Sequence, residues 1–216
     1  MAKTWSADNP KAALMARKQA VIVEAALKAF LDVGYAEASV NRIAAAAGVS
    51  IKTLYRHFEN KDDLFSAVMQ AACGKMPDAH LPKEPPPAWY GLPPGKALPQ
   101  AGEQYLRSVL SQDQLALYRV VIHDAHRFPE LGRRYHEETT GTRDAKFAGY
   151  LDLWAKRQDW TVRDKRAAAQ VFAGLLKARI FDEVLLGLRE PSEAVIVEKA
   201  RDAAKTMLQL LNDGRF

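Results

Sequence analysis

The chain contains few of the residues that stabilise small secreted domains or build structural metal sites. Cys73 is the only cysteine among 216 residues, which excludes an internal disulfide and a zinc site made of several cysteines. No apolar run reaches the roughly 18 residues of a membrane-spanning helix, and the N-terminus lacks the apolar segment of a secretory signal. We therefore expect a soluble, cytoplasmic protein that does not bind membranes.

The sequence also lacks the motifs of common enzyme classes. It has no nucleophile elbow, no glycine-rich phosphate loop and no dinucleotide-binding fingerprint. Cys73, near the end of a predicted helix, is more typical of a packed thiol than of a nucleophile. We predict that the protein is not an enzyme and needs no cofactor. The alternative, an enzyme built on a helical bundle, would be marked by polar side chains that converge in a pocket.

Strand signals are nearly absent, whereas apolar residues recur at helical spacing through most of the chain. We therefore expect an all-α protein. Eight of the 11 prolines lie between Pro77 and Pro99, and proline lacks the amide donor of a regular helix, so residues 77–99 are predicted to be irregular, with Trp89 and Tyr90 docked. Beyond them the periodicity predicts helices at about 101–111, 113–127, 129–157, 163–187 and 192–212.

Acidic residues are absent from one short stretch, although the formal net charge is only +5. Three basic residues and no acidic one lie between Ser39 and Phe58, whereas residues 100–216 contain 19 basic and 17 acidic residues. The basic excess of this stretch fits an anionic partner.

The same stretch has the pattern of two short helices joined by a tight turn. One helix is predicted to start after Ser39 and to break at Gly48, and the next to run from Ile51 to His57 behind the cap residue Ser50. A helix, a turn with glycine and a second helix in about 20 residues form the helix-turn-helix signature. Gly34 is expected to end the helix before this motif, and a helix from about Lys61 to follow it.

The helix at 51–57 is too short to be stable alone, and Leu54 and Phe58 would anchor it. Its remaining residues are typical of a helix that binds in the major groove of DNA, with small or polar residues at its N-terminal end and basic or hydroxyl groups on its flanks. The alternative is an ordinary solvated helix face, which is the usual role of charged residues.

Residues 25–65, "AALKAFLDVGYAEASVNRIAAAAGVSIKTLYRHFENKDDLF", resemble the DNA-binding domain of the tetracycline-repressor (TetR/AcrR) family of transcriptional regulators. The matching elements include Phe30, Gly34, "IAAAAGVS", "TLYRHF" and Lys61. A weaker similarity, "VVIHDAHRFPELGRRYHE" at 120–137, is shared with efflux-linked members. The chain departs from the family at Ile51-Lys52, where many members have Lys-Gly.

The resemblance implies a homodimer that binds a palindromic operator in double-stranded DNA, most often as a repressor, and that a small-molecule inducer releases. It implies a DNA-binding domain at 1–60 and a helical ligand-binding and dimerisation domain at 61–216. The alternative is a constitutive DNA-binding protein whose second domain only dimerises. The predicted DNA-binding residues are Arg17, Lys18, Ser39, Asn41, Arg42, Ser50, Ile51, Lys52, Thr53, Tyr55, Arg56, His57 and Lys61.

Roles within this set follow from the chemistry of the side chains. Tyr55, His57 and Lys61 match positions that hold phosphates in the family. Residues 41, 51, 52 and 56 are expected to discriminate sequence, because Arg and Lys bind guanine edges, Asn binds adenine and Ile contacts the thymine methyl.

The last two predicted helices have more apolar surface than one small domain needs, and the final helix has a heptad-like seam. We therefore predict a helix-pair dimer interface, formed by Val171, Leu175, Ala178, Ile196, Ala200, Ala203, Met207 and Leu210.

Ten aromatic residues lie between Tyr105 and Phe181. Most aromatics of a bundle are core, but the resemblance implies a small-molecule pocket among them. The candidates are Tyr118, His123, Tyr150, Trp154, Phe172 and Arg179, the last as an anchor for an anionic inducer. His123 and His126 have the spacing of a metal chelate, but no third ligand is evident, so no metal site is predicted.

Overall fold

The computed structural model describes residues 10–72, 87–158 and 160–216. Cys73 and positions 77–86 of the predicted irregular segment lie outside these ranges. Within them the chain forms helices and turns and no strand, which confirms the all-α prediction. The helices are α1 (Pro10–Glu37), α2 (Val40–Ala46), α3 (Ile51–His57), α4 (Lys61–Ala72), α5 (Pro94–Val109), α6 (Gln112–Asp124), α7 (Pro129–Tyr135), α8 (Thr142–Gln158), α9 (Lys165–Lys177), α10 (Ile180–Leu185) and α11 (Glu193–Asn212).

The chain divides into two compact units. The first unit comprises residues 1–84 and 116–139, and the second comprises residues 85–115 and 140–216. The first unit therefore combines α1–α4 with most of α6 and with α7, and the second contains α5 and α8–α11. The predicted division into a DNA-binding domain at 1–60 and a ligand-binding and dimerisation domain at 61–216 is a division by function, and it stays a prediction.

The core of the first unit forms where the apolar stripes of α1 and α4 meet. Ile22, Ala26 and Phe30 on α1 have no exposed surface, in agreement with their spacing of four residues along a helix. Four apolar side chains of α4 are buried as well, namely Leu64, Phe65, Val68 and Met69. Leu117, Val120, Val121 and Leu131 from α6 and α7 belong to the same core.

The core of the second unit is built mainly by α5 and α11, which approach closely at Gly102. A β-carbon at this position would lie 2.9 Å from Leu176 Cδ2 and 3.2 Å from Ala200 Cβ. A side chain here would have to displace Leu176 and press on Ala200, so glycine favours this close approach of the helices.

The heptad-like seam of α11 packs inside its own chain, which corrects the prediction for half of the interface residues. Ile196, Ala200, Ala203 and Met207 are at most 6% exposed, because α5 and α9 cover them. They are core residues and have no surface left for a second copy. Val171, Leu175, Ala178 and Leu210 keep exposed or partly exposed surface.

The irregular segment ends earlier than predicted. A 3-10 turn occupies Ala88–Gly91, and α5 begins at Pro94 with Pro99 inside it. Pro94 lies in the first turn, where the missing amide has no helical partner, and the buried face formed by Ala97, Leu98 and Ala101 holds the helix across Pro99. Trp89 and Tyr90 pack against the core of the second unit, as predicted.

Two helices predicted as continuous are interrupted. A π-helical turn at His136–Gly141, which ends at a glycine, separates α7 from α8. Between α9 and α10, Arg179 adopts φ 57° and ψ −47°, and the N–H of Ile180 donates to Ala178 O at 2.6 Å. This is a γ-turn with a positive φ, a conformation that few non-glycine residues adopt.

Candidate nucleic-acid interface

The turn between α2 and α3 is held by backbone hydrogen bonds. Gly48 has φ 65°, and the N–H groups of Gly48 and Val49 donate to Ala45 O and Ala44 O at 3.1 and 3.0 Å. A residue with a β-carbon is strained at this angle. The turn therefore fixes the direction in which α3 leaves α2, as the helix-turn-helix pattern predicts.

Each of the two short helices starts at a serine, but only one serine caps with its side chain. Ser50 Oγ accepts from Thr53 N at 3.1 Å and lies 2.9 Å from Thr53 Oγ1. Ser39 occupies the cap position of α2 with extended angles, but its hydroxyl accepts none of the described N–H groups at the start of that helix. Ser39 therefore stands at the N-cap position of α2 without a capping hydrogen bond from its side chain.

The helix α3 is anchored on one side and exposed on the other. Leu54 and Phe58 are buried, whereas Ile51 is 38% and Tyr55 51% exposed. Thr53 and His57 are partly exposed on its flanks. Asn41 and Arg42 of α2 and Lys52 and Arg56 of α3 are exposed as well. A seven-residue helix thus presents Ile51, Tyr55 and basic side chains to solvent.

His57 lies at the end of α3 in a partly desolvated position. Its Nε2 is buried and has no hydrogen-bond partner among the described residues. Burial lowers the pKa of His57 below its usual 6.5, and the positive charges of Arg56 and Lys18 lower it further. The structure thus brings Lys18 of α1 near α3, while Arg17 next to it is exposed.

Lys61 is held in place at the start of α4. Its Nζ donates to Ala36 O at 3.1 Å and lies 4.6 Å from the centre of the Tyr35 ring. Burial lowers the pKa of Lys61, although Asp124, Asp62 and Glu37 oppose this effect. An ammonium group has three N–H donors, so the bond to Ala36 leaves donors for an anion.

A buried carboxylate at the end of α6 binds the backbone at the end of α1. Asp124 is 1% exposed, and its Oδ2 accepts from Tyr35 N at 2.7 Å and from Ala36 N at 3.1 Å. These N–H groups follow Gly34, which interrupts α1 as predicted with φ 79° and ψ 172°. The interruption frees the two N–H groups from the helical ladder, and Asp124 satisfies them.

A second contact joins α7 to α4. Arg134 Nη1 donates to Ser66 Oγ at 2.8 Å and to Asp62 O at 3.4 Å, and the hydroxyl of Tyr35 donates to the Asp62 carboxylate. Neither Asp124 nor Arg134 was predicted from the sequence. In the motif "HDAH" the two histidines have a recognisable spacing, whereas the aspartate between them makes the contact with the end of α1.

The predicted ligand-pocket residues are distributed over both compact units. Tyr118 and His123 belong to the first unit, where the Tyr118 ring lies 5.6 Å from that of Tyr135. The His123 side chain is 81% exposed. In the second unit, Tyr150, Trp154 and Phe172 are buried together in the core. The Arg179 side chain is 88% exposed and pairs with Glu183 at 2.6 Å, so it is not positioned as an anchor inside this aromatic core.

The described residues contain no group of three or more His, Cys, Asp or Glu side chains arranged to hold a metal ion. Among the same residues, no helix is long and apolar enough to cross a membrane.

Two family models match the chain. Residues 22–68 match the model described as bacterial regulatory proteins of the tetR family. Residues 96–210 match the model described as the C-terminal domain of AefR-like transcriptional repressors. The chain belongs to the TetR family of transcriptional regulators. This confirms the resemblance based on "IAAAAGVS" and "TLYRHF", and members of the family are in general DNA-binding regulators rather than enzymes.

Solved structures of TetR-family regulators are similar over nearly the whole chain. A transcriptional regulator from Mesorhizobium loti MAFF303099 is 26% identical, with a TM-score of 0.74 over 91% of this chain and 97% of that one. The flavonoid-responsive regulator FrrA is 29% identical, with a TM-score of 0.72 over 89% and 96%. A regulator from Agrobacterium tumefaciens, 22% identical with a TM-score of 0.69 over 89% and 93%, shares the fold.

Proposed function

We propose that this TetR-family regulator is a repressor that binds a palindromic operator as a homodimer and is released by a small molecule. The observation that carries the proposal is the exposed side of α2 and α3, where Ile and Tyr side chains stand in solvent beside basic residues. The match to a family of transcriptional repressors over residues 96–210 supports the sign of regulation.

In this proposal α3 enters the major groove with its N-terminal tip toward the bases. Lys52 and Arg56 would donate to guanine edges, and Ile51 would contact a thymine methyl. Asn41 and Arg42 of α2 lie on the same exposed side. The phosphates would be bound by Ser39, Ser50, Thr53, Tyr55, His57 and Lys61, together with Arg17 and Lys18 of α1.

The proposed dimer places two copies of α3 in successive major grooves, about one turn of DNA apart. Val171 and Leu175 lie four residues apart on α9, Ala178 follows the end of that helix with exposed surface, and Leu210 of α11 is partly exposed. These side chains are what remains of the predicted interface after the core residues of α11 are set aside.

Release requires a ligand that prefers the arrangement that does not bind DNA. The aromatic core of the second unit supplies the apolar surroundings that small-molecule sites usually have. A relative with a similar structure is a flavonoid-responsive regulator, which supports a small-molecule ligand for this chain as well.

Fluorescence anisotropy on the upstream DNA of the gene and on a scrambled duplex, each across a salt series, tests the proposal. We expect the affinity for the upstream DNA to exceed the affinity for the scrambled duplex by a factor of about a thousand or more.

Lys61→Ala should weaken binding to both duplexes about equally and make the salt slope shallower by about one. Lys52→Ala should instead relax the preference at one or two base pairs by about 1–3 kcal/mol each.

Lys146→Ala is the matched control, because it removes the same charge from an exposed position on α8. Equal losses for the Lys61, Lys52 and Lys146 variants would show that the overall charge binds DNA and would contradict the proposed roles.

A further inference from the structure

An aromatic cluster in the second unit surrounds the ring of Tyr150. The centre of this ring lies 5.3 Å from that of Trp89, 5.9 Å from Tyr90, 6.0 Å from Phe147 and 6.1 Å from Trp154. Phe172 of α9 stacks on Phe147 at 5.0 Å. The Tyr150 cluster thus consists of Trp89, Tyr90, Phe147, Tyr150, Trp154 and Phe172.

Two polar atoms inside the Tyr150 cluster lack a partner. Tyr150 has no exposed surface and Trp154 is 6% exposed, and neither the Tyr150 hydroxyl nor Trp154 Nε1 has a hydrogen-bond partner in the described part of the chain. Buried Tyr and Trp usually find partners for these groups. Trp160 of the same unit does so, since its Nε1 donates to Asn212 Oδ1 at 2.9 Å.

The two unpartnered atoms are both hydrogen-bond donors carried by one face of α8. Residues 150 and 154 are one helical turn apart, so their side chains lie on one face of α8. The indole N–H is only a donor, and burial raises the pKa of Tyr150, so that its hydroxyl stays protonated and able to donate. The missing partner is therefore a hydrogen-bond acceptor.

The surroundings restrict the charge of that acceptor. The exposed Arg157 lies beside the cluster, with its guanidinium carbon 5.4 Å from the centre of the Trp154 ring. Arg143 on the same helix lies over Tyr105, 5.4 Å from the centre of that ring. An ionised carboxylate buried among aromatic rings without a direct cationic partner would be costly. A carbonyl or ring oxygen of a neutral molecule meets the requirement at lower cost, and flat rings pack well against the edges and faces of the cluster.

We propose that the Tyr150 cluster binds a neutral, planar aromatic compound with a carbonyl or ring oxygen, which accepts hydrogen bonds from Tyr150 and Trp154. The proposal rests on the proposed function as a ligand-controlled regulator and names the ligand class and the two residues that select it. Because Tyr150 has no exposed surface, the ligand has to displace side chains that now pack against the Tyr150 ring. Trp89 and Tyr90 are the partly exposed members of the cluster and lie on the short 3-10 turn, so they are the ones that move.

Isothermal titration of the full-length protein with flavone and with 2-phenylnaphthalene tests the ligand class. The two probes have nearly the same shape, but only flavone carries acceptor oxygens. We expect flavone to bind at least about tenfold more tightly, since the hydrocarbon leaves both donors unpaired. Decanoic acid is the probe for the rival class of aliphatic anions, and we expect it to bind more weakly than flavone.

Conservative variants test the two donors. Tyr150→Phe should weaken flavone binding about fivefold or more and, at the same time, raise the melting temperature of the ligand-free protein, because it removes an unpaired buried hydroxyl. Trp154→Phe should also weaken flavone binding. Trp160→Phe is the matched control and should leave flavone affinity unchanged, since its N–H already has a partner.

The inference is overturned if flavone does not bind, if both probes bind equally, if decanoic acid binds more tightly than flavone, or if Tyr150→Phe leaves flavone affinity unchanged. If a water molecule bridges the two donors instead, flavone should not bind. Anisotropy on the upstream DNA without any probe separates this outcome from failure of the proposed function. If the protein binds the upstream DNA specifically but does not bind flavone, only the proposed ligand class is wrong. If it binds flavone but does not bind the upstream DNA specifically, the proposed operator is wrong.

Discussion

At the scale of single residues, the proposed phosphate contact of His57 predicts that DNA binding depends on pH. Its pKa is lowered in the free protein by burial and by Arg56 and Lys18, and a phosphate placed against it would raise the pKa again. Binding of DNA should therefore take up a proton. We expect operator affinity to increase as the pH falls from about 7.5 to about 5.5, by at most about tenfold per pH unit for one proton.

The same residue predicts the opposite trend for stability. Below the usual pKa of 6.5, the unfolded chain binds a proton at His57 that the folded chain does not, so the free energy of unfolding decreases as the pH falls from 6.5 toward the lowered folded pKa. His57→Gln should flatten both trends, as measured by anisotropy and by urea unfolding. An unchanged pH dependence of operator affinity in this variant would contradict the role of His57.

At the scale of elements, the contact of α6 with the end of α1 rests on Asp124. Asp124→Leu leaves the N–H groups of Tyr35 and Ala36 without an acceptor, each at a cost of about 1–3 kcal/mol, so we expect the free energy of unfolding to fall by about 2–4 kcal/mol. Asp124→Asn keeps an acceptor oxygen of the same reach and should cost about half as much or less.

Urea unfolding measures these losses, and His123→Ala provides the control. His123 is the neighbour of Asp124 on the same helix, but its side chain is 81% exposed, so its replacement should be nearly neutral. The explanation fails if the Leu and Asn variants are equally stable.

Elements with local signals could be predicted from the sequence, and elements that depend on tertiary packing could not. The turn at Gly48 and the cap at Ser50 are determined by residues within one turn of helix, and both were predicted. The break at Arg179 has no Gly or Pro to mark it. Pro99 remains helical only because Ala97, Leu98 and Ala101 are buried beneath it.

The candidate site shows the same division. The DNA-binding surface was predicted because its residues are close in sequence, and their individual contacts stay predictions. Asp124 was missed because its partners are 88 and 89 residues away. In α11, the apolar residues at spacings of four and three form the same sequence pattern whether α5 or a second copy of the chain covers them. Only the fold identifies Ala200 and Met207 as core residues.

At the scale of the whole molecule, the proposed binding to a palindromic operator requires two copies of α3 in a dimer. An exposed apolar side chain on α9 is the place to test that pairing, because a charge can be added there without disturbing the core. Val171 is 38% exposed, and Val171→Glu should convert the dimer to a monomer if this face lies in the interface. Gln170→Glu is the matched control, since it adds a charge at the adjacent exposed position, about 100° away around the helix.

Sedimentation equilibrium and anisotropy together decide the matter. A monomer binds one half-site and loses the gain in affinity that comes from linking two binding events, about 10²–10⁴-fold. We therefore expect Val171→Glu to lose operator affinity by such a factor while keeping the melting profile of a folded protein. If Val171→Glu stays dimeric, the interface lies on another face. If it becomes monomeric and binds the operator as tightly as before, pairing is not the source of the affinity, and the palindromic mode of recognition would have to be abandoned.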